Sequence, residues 1–359
     1  MSRYDQVTDA LRSKPQRWLV TGVAGFIGSH LLETLLRFDQ EVVGLDNLAT
    51  GTVKNVQLAL SRVSTAQAAR FRFLEGDIRD SGVCRQAALH VDIVLHQAAL
   101  ASVPRSLADP ASTHAVNVDG FVNVLLAARD AKVERVVYAS SSSVYGDDPS
   151  DIKVERRIGR PLSPYAATKL IDEIYADTLL RDSGTETVGL RYFNVFGPRQ
   201  DPAGPYAAVI PGWTEKLFAG ETCVVYGDGT NSRDFCFVEN VVEANLLAAT
   251  APRHAQSPRV FNIGCGERTT LLQLFSALRN QVARYRPQAA NAVLQPTAPR
   301  DGDVAHSLAS ITLAQAWLGY EPFYAMSRGL RETIRCRGQN LTRPEAGGGT
   351  AVAAGEVAA

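Results

Sequence analysis

From residue 17 to residue 191, short apolar runs rich in β-formers alternate with longer segments of helical period, and this alternation constrains the fold more than any other feature. The runs are WLVTG, EVVGLDN, FRFLEGD, DIVLHQAA, RVVYASS and TVGLRYFN. Between them, segments 27–38, 116–131 and 165–181 set apolar residues three and four apart. Strands joined by helices run parallel, because a parallel neighbour is reached only through a crossover of about a dozen residues or more. The expected fold class is α/β, a doubly wound parallel sheet.

Past Asn194, Gly and Pro cluster in FGPRQDPAGPY and VYGDGTNSRDF, while LLQLFSALRNQVARY and SLASITLAQAWLGY read as separate surface helices. Residues 1–194 are expected to form the sheet domain, with the chain returning to it around 234–264. Residues 195–338 are expected to form mainly a smaller lobe over the sheet's carboxyl edge. The Gly/Ala-rich stretch 339–359 has little to bury and reads as a flexible tail.

With 359 residues, 45% of them hydrophobic, the chain has ample core for this architecture. Its 37 basic and 37 acidic side chains cancel, so no overall positive field exists to hold nucleic acid and any phosphate must be bound locally. Cys84, Cys223, Cys236, Cys265 and Cys336 are scattered, odd in number and never spaced C-x-x-C, which argues against a disulfide framework and a structural zinc site. The opening MSRYDQVTDALRSKPQRW has no apolar signal core, and no apolar stretch reaches ~18 residues. A cytoplasmic protein is expected, with no membrane or nucleic-acid partner.

The first strand ends in Thr21-Gly22-Val23-Ala24-Gly25-Phe26-Ile27-Gly28, and a helical pattern follows. Glycines here let the backbone turn tightly and approach a pyrophosphate, while the helix N-terminus offers free N–H donors and partial positive charge. A glycine triplet alone also suits a plain connector, but the strand before and the helix after favour a Rossmann-like phosphate cradle. The second strand ends in Asp46, where a carboxylate accepts hydrogen bonds from an adenosine ribose and repels a 2′-phosphate, favouring NAD over NADP. Asp77 is a candidate for the adenine edge or a solvated loop aspartate.

In Ser163-Pro164-Tyr165-Ala166-Ala167-Thr168-Lys169, Ser163 suits a helix cap and Pro164 the first turn, which sets Tyr165 and Lys169 on one face. An ammonium one turn away stabilises a phenolate and makes the phenol a usable proton acceptor. The strand ending in Ser140-Ser141-Ser142-Ser143 brings hydroxyls to the same sheet edge.

Together these motifs resemble the extended short-chain dehydrogenase/reductases, from about residue 18 to 338. TGVAGFIGSH, LDNLATG, GDIRD, HQAA, SPYAATK and RYFNVFGPRQDP match the nucleotide-sugar epimerase pattern. The opening MSRYDQ, with HQAALASVPRS and YAAVIP, is similar to bacterial UDP-N-acetylhexosamine 4-epimerases. The resemblance implies Tyr165 as base, Lys169 as its activator and ribose ligand, and Ser142 as partner of the sugar's 4-oxygen, with Ser143 the less favoured stand-in. It implies NAD contacts from Gly22, Gly25, Phe26, Ile27, Gly28, Asp46, Asn47, Asp77, Ile78, Gln97, Ala98, Tyr165 and Lys169. A UDP diphosphate would meet Asn194, Arg233 and Arg300, with Asp303 at the uridine ribose. The hexose wall would comprise Ala101, Ser102, Asn194, Ala208, Val209 and Ser307. Relatives restricted to glucose and galactose tend to carry a tyrosine where Ser307 stands, and near relatives often have glycine at Ala101.

The implied reaction is NAD-dependent 4-epimerisation of UDP-N-acetylglucosamine and UDP-N-acetylgalactosamine, or of their uronic acids, through a 4-keto sugar, supplying surface polysaccharides such as O-antigen. UDP-glucose/UDP-galactose epimerisation and a catalytically idle NAD-binding regulator are the alternatives. The resemblance also implies a homodimer through a four-helix contact. No histidine pair has metal-ligand spacing, and no G-x-S-x-G elbow is present, so metal catalysis and hydrolysis are not expected.

Overall fold

The computed structural model describes residues 1–202, 208–254, 257–299 and 305–342. Seven strands form the central sheet: β1 (Arg17–Thr21), β2 (Glu41–Asp46), β3 (Phe71–Glu75), β4 (Ile93–His96), β5 (Arg135–Ser141), β6 (Glu186–Tyr192) and β7 (Val260–Ile263). They lie side by side as β7-β6-β5-β4-β1-β2-β3, every pairing parallel. The chain winds outward from β1 through β2 to β3, then resumes on the other side of β1 with β4. Such a reversal opens a crevice at the carboxyl ends of the two strands. Here Thr21 and His96 face each other in register across it.

Period-two alternation along the strands feeds two cores. Trp18, Val20, Ile93, Leu95, Val137 and Leu190 pack on one face with helices Arg3–Ser13, Phe26–Arg37 and Val238–Thr250. Leu19, Val94, Val136 and Tyr138 point the other way, toward helices Ser81–Ala88, Gly120–Asp130 and Pro164–Leu179. Each large apolar side chain fully buried this way contributes roughly 1.5–3 kcal/mol. Covered on both faces, β1, β4 and β6 are buried almost throughout, whereas the edge strand β3 is largely exposed.

The second lobe has its own core, including Ile210, Trp213 and Leu217 of helix Val209–Ala219, Leu274 and Leu278 of helix Leu271–Val282, and Leu330 and Ile334. A four-stranded sheet joins Thr269–Thr270, Ser232–Arg233, His306–Ala309 and Ile152–Lys153. Two sequence expectations give way here. The segment SLASITLAQAWLGY is helical only over Thr312–Leu318, because His306–Ala309 is drawn into strand pairing with Ser232–Arg233 and Ile152–Lys153. The segment 116–131 is not one even helix: a π-helical turn, Ala115–Asp119, precedes Gly120–Asp130. The first residues also form a helix, Arg3–Ser13, opened by a capping box between Ser2 and Asp5.

Candidate active site

The turn after β1 is built for close approach. Gly22 has φ +68°, and a Cβ there would lie 2.7 Å from the Ala98 nitrogen. A Cβ on Gly28 would lie 2.1 Å from the Gly22 carbonyl oxygen, so only glycine lets the helix Phe26–Arg37 seat on the turn. Gly25 caps that helix without a side chain, leaving its first-turn N–H groups open to an anion. Asp46 accepts from the Ala24 N–H at 2.9 Å and the Leu48 N–H at 2.8 Å, and burial raises its pKa. A cradle of glycine backbone with an uncapped helix start and an adjoining carboxylate fits a dinucleotide.

Other predicted cofactor residues line the same edge. Asn47 donates to Asp77 at 2.8 Å, and Arg79, the larger influence, also donates to it, holding its pKa down at about 2. Ile78 is buried, and its carbonyl accepts from Asn123 at 3.1 Å. Ala98 donates its N–H to the Thr21 hydroxyl at 3.3 Å. The Gln97 side chain is committed inward, accepting from the Tyr192 hydroxyl and donating to Asn245. Phe26 and Ile27 lie against the core of the second lobe.

The Ser163 hydroxyl accepts from the Ala166 N–H at 3.1 Å and Pro164 takes the first turn, which starts the helix Pro164–Leu179 and places Tyr165 and Lys169 one turn apart. Tyr165 is half-buried and Lys169 fully buried. Lys169 Nζ lies 3.1 Å from Asp172 Oδ2, and burial lifts the Asp172 pKa to about 6 against the opposing pull of Lys169. Glu173 accepts from Ser140 on β5 at 2.5 Å and from Arg191 on β6 at 2.7 Å, bolting the helix to the sheet. Asn117, in the π turn, donates to Thr168 at 3.1 Å while its oxygen accepts from the Leu100 N–H at 2.8 Å. The loop carrying Ala101 and Ser102 is thereby fixed to the helix of Tyr165.

His96 Nδ1 lies 2.8 Å from the Thr21 hydroxyl, but Nε2 is buried with no partner among the described residues. Burial first, then the Lys169 charge, pushes its pKa down to about 3, so the ring is neutral. The four serines take separate roles. Ser140 is held by Glu173, and Ser143 donates both its N–H and its hydroxyl to Ser141 Oγ. Ser141 thus keeps its own proton for another acceptor, and Ser142 makes no hydrogen bond through its hydroxyl to a described residue.

On the second lobe, Arg233 and Ser307 are register partners on adjacent parallel strands. Asn194 follows β6 at φ 30° and donates to the Asp234 carbonyl at 3.1 Å. Asp234 accepts from the N–H groups of Cys265, Gly266 and Ala309, tying the Ser307 strand to the loop after β7. Ser102 caps helix Val103–Ala108, Ala101 is exposed, and Ala208 and Val209 open helix Val209–Ala219. Arg300 and Asp303 lie outside the described residues. Among the described residues no three His, Cys, Asp or Glu side chains gather as a metal site, and no helix is long and apolar enough to cross a membrane.

Sequence reasoning missed Asn117, Asp172, Glu173 and Arg191, and named Ser141 only within the serine run. The available signal was a polar residue on the apolar face of a helical pattern, as at Asn117, which shares a face with Phe121 and Val124.

A profile of the NAD dependent epimerase/dehydratase family matches residues 18–264. The chain is 37% identical over 321 residues to a UDP-glucose 4-epimerase of Mycolicibacterium smegmatis, covering 89% of this chain and 97% of that protein. It superposes with TM-score 0.81 and 34% identity on a UDP-N-acetylglucosamine 4-epimerase from Methanobrevibacter ruminantium solved with UDP-N-acetylmuramic acid, covering 91% of this chain and 99% of that one. A UDP-glucose 4-epimerase of Thermus thermophilus, solved with NAD, matches with TM-score 0.76 and 35% identity over 89% of this chain and 98% of that one.

Proposed function

The chain belongs to the NAD dependent epimerase/dehydratase family, an NAD-dependent enzyme inverting carbon 4 of UDP-sugars, and from that premise we propose that its substrate pair is UDP-N-acetylglucosamine and UDP-N-acetylgalactosamine. The observation carrying the choice of sugar is the pairing of Arg233 with Ser307. The register sets Arg233, whose guanidinium also donates to the Ser232 and Ala305 carbonyls, opposite Ser307; a guanidinium suits a diphosphate, and a serine at the neighbouring wall position would leave room for an N-acetyl group where a tyrosine would not.

NAD would be held by the Gly22–Gly28 turn, Asp46, the Asp77–Ile78 edge, Ala98 and Lys169, and when bound it supplies a reversible hydride acceptor. The chain's own residues do the rest. Tyr165 takes the proton of the 4-hydroxyl and later returns one, Lys169 stabilises its anionic form, and Ser142 orients the oxygen. Arg233, Arg300 and Asn194 grip the diphosphate while small wall residues leave the hexose ring free to turn and present its other face.

A homodimer is part of the same reading. Helices Gly120–Asp130 and Pro164–Leu179 expose Ile174 and Tyr175 beside a groove that includes Val118, Val122 and Ile171, an apolar surface suited to a four-helix contact with a second copy. Sedimentation at a mass of two chains is expected, and a monomer at micromolar concentration would refute it.

The sugar is tested by incubating the purified protein with each UDP-sugar without added NAD and following products by NMR. Faster turnover of the acetylated pair is expected, and equal or faster turnover of UDP-glucose would overturn the assignment. Ser307→Tyr should invert the preference. A UDP-N-acetylhexosaminuronate arm reports whether a carboxylate at carbon 6 is preferred.

A further inference from the structure

We propose that Asp172 is a positioning residue of the proton-transfer set: its carboxylate fixes the Lys169 ammonium on the helix Pro164–Leu179, and its charge governs how readily Tyr165 yields its proton. This rests on the reading of Tyr165 and Lys169 given above.

The geometry is specific. Lys169 and Asp172 side chains are 2% and 1% exposed and lie 3.1 Å apart at i and i+3. Among the described residues Asp172 makes the one hydrogen bond to Lys169, while the second Asp172 oxygen is buried without a partner. An apolar side chain at this place would leave the buried Lys169 ammonium without a counter-charge, so the carboxylate is tied to that lysine rather than to packing.

The neighbouring charges do not share the role. Glu173, on the same helix, is committed to Ser140 and Arg191. Tyr138 of β5 and His96 of β4 are buried, and the ring of His96 is neutral. On the helices packed against the other side, Arg105, Asp109, His114 and Asp119 are exposed, and Arg129 pairs with Asp130. None of these forms a hydrogen bond or ion pair with Asp172.

The sign of the effect follows from Coulomb's law. With Asp172 neutral, the Lys169 charge acts on Tyr165 unopposed and its phenolate forms at lower pH. Asp172 lies seven positions along the helix from Tyr165, about 10 Å along the axis. A unit charge at that range moves a titration midpoint by about 0.3–1.2 pH units as the effective dielectric runs from ~80 to ~20.

The test is an ultraviolet difference titration of tyrosinate on the full-length protein with its bound cofactor and no sugar, using Tyr165→Phe to isolate the Tyr165 step. Asp172→Asn should lower that midpoint by about 0.3–1.2 units. An unchanged or higher midpoint in the folded variant overturns the proposal, because losing the carboxylate charge would then not have favoured the phenolate. Should the amide variant not fold, Asp172→Ser, with space for water beside the ammonium, is read in the same way. If wild type and Tyr165→Phe titrate alike, the reading of Tyr165 itself falls, and this inference with it.

Discussion

The Asp46 carboxylate accepts a hydrogen bond from the backbone N–H of Ala24 at 2.9 Å, so the last residue of β2 holds the glycine turn that follows β1. Its side chain therefore does two things, ordering the phosphate cradle and standing at the predicted ribose site. Asp46→Ala leaves the Ala24 donor buried without its acceptor and should destabilise the fold by about 1–3 kcal/mol. NAD should bind roughly tenfold or more weakly by calorimetry, a loss of ~1.4 kcal/mol or above. Full NAD affinity in the variant would remove Asp46 from the ribose site.

Gly28→Ala drives a methyl to within 2.1 Å of the Gly22 carbonyl, a backbone atom that yields only if the helix Phe26–Arg37 lifts away. A cost of about 1–3 kcal/mol in melting stability is expected, together with loss of retained NAD on gel filtration. Gly220, with open space around its Cβ position but φ +75°, reports the cost of backbone strain alone for the same glycine-to-alanine change away from the cradle.

Tyr165→Phe should fold, retain NAD and lose turnover by roughly 10²–10⁴-fold, the usual scale for removing one acid–base group. Turnover within a factor of two of wild type would sink the assigned mechanism. A catalytically idle NAD-binding protein would have no turnover to lose.

Alanine scanning separates the serines. Ser142→Ala is expected to lower kcat by about 10²-fold. Because Ser141 keeps its own proton while accepting twice from Ser143, Ser141→Ala is the decisive companion. A larger loss there would transfer the 4-oxygen contact from Ser142 to Ser141.

Stability should depend on pH through Glu243. Burial pushes its pKa up to about 8 from 4.5, and Oε2 is buried without a partner among the described residues. The folded protein therefore holds a proton that the unfolded chain has released, and stability falls as pH rises from about 4.5 through about 8. Glu243→Gln should match wild type near the lower limit and melt several degrees higher near pH 9. Parallel melting curves at all pH values would exclude this role.

The parallel sheet, six of its seven strands and the two chemical motifs were legible because each is written in local periodicity, while Val260–Ile263 was foreseen only as a return of the chain around 234–264. Thr21 through Gly28 carries strand, turn and helix start within one stretch, and Ser163, Pro164, Tyr165 and Lys169 carry cap, turn and spacing in another. What escaped was long-range. His306–Ala309 reads as part of a helix until Arg233 arrives beside Ser307, because partners of a two-residue strand are chosen by tertiary proximity. Asn117 sits in a π turn and accepts from the Leu100 N–H seventeen residues away, a tertiary contact that no periodicity encodes. Asp172 is separated from solvated helix aspartates only by the neighbours that bury it.

The seventh strand, Val260–Ile263, reaches β6 only after the polypeptide has travelled through helix Val209–Ala219 and strands Cys223–Tyr226 and Ser232–Arg233. Until that strand has been synthesised, the β6 border, with Val188, Leu190 and Tyr192, has no neighbour to pair with. A fragment ending at Asn194 would leave the β6 edge without its neighbour, a template for strand addition from another chain, and is expected to elute as larger species on gel filtration; a stable monomer would show otherwise.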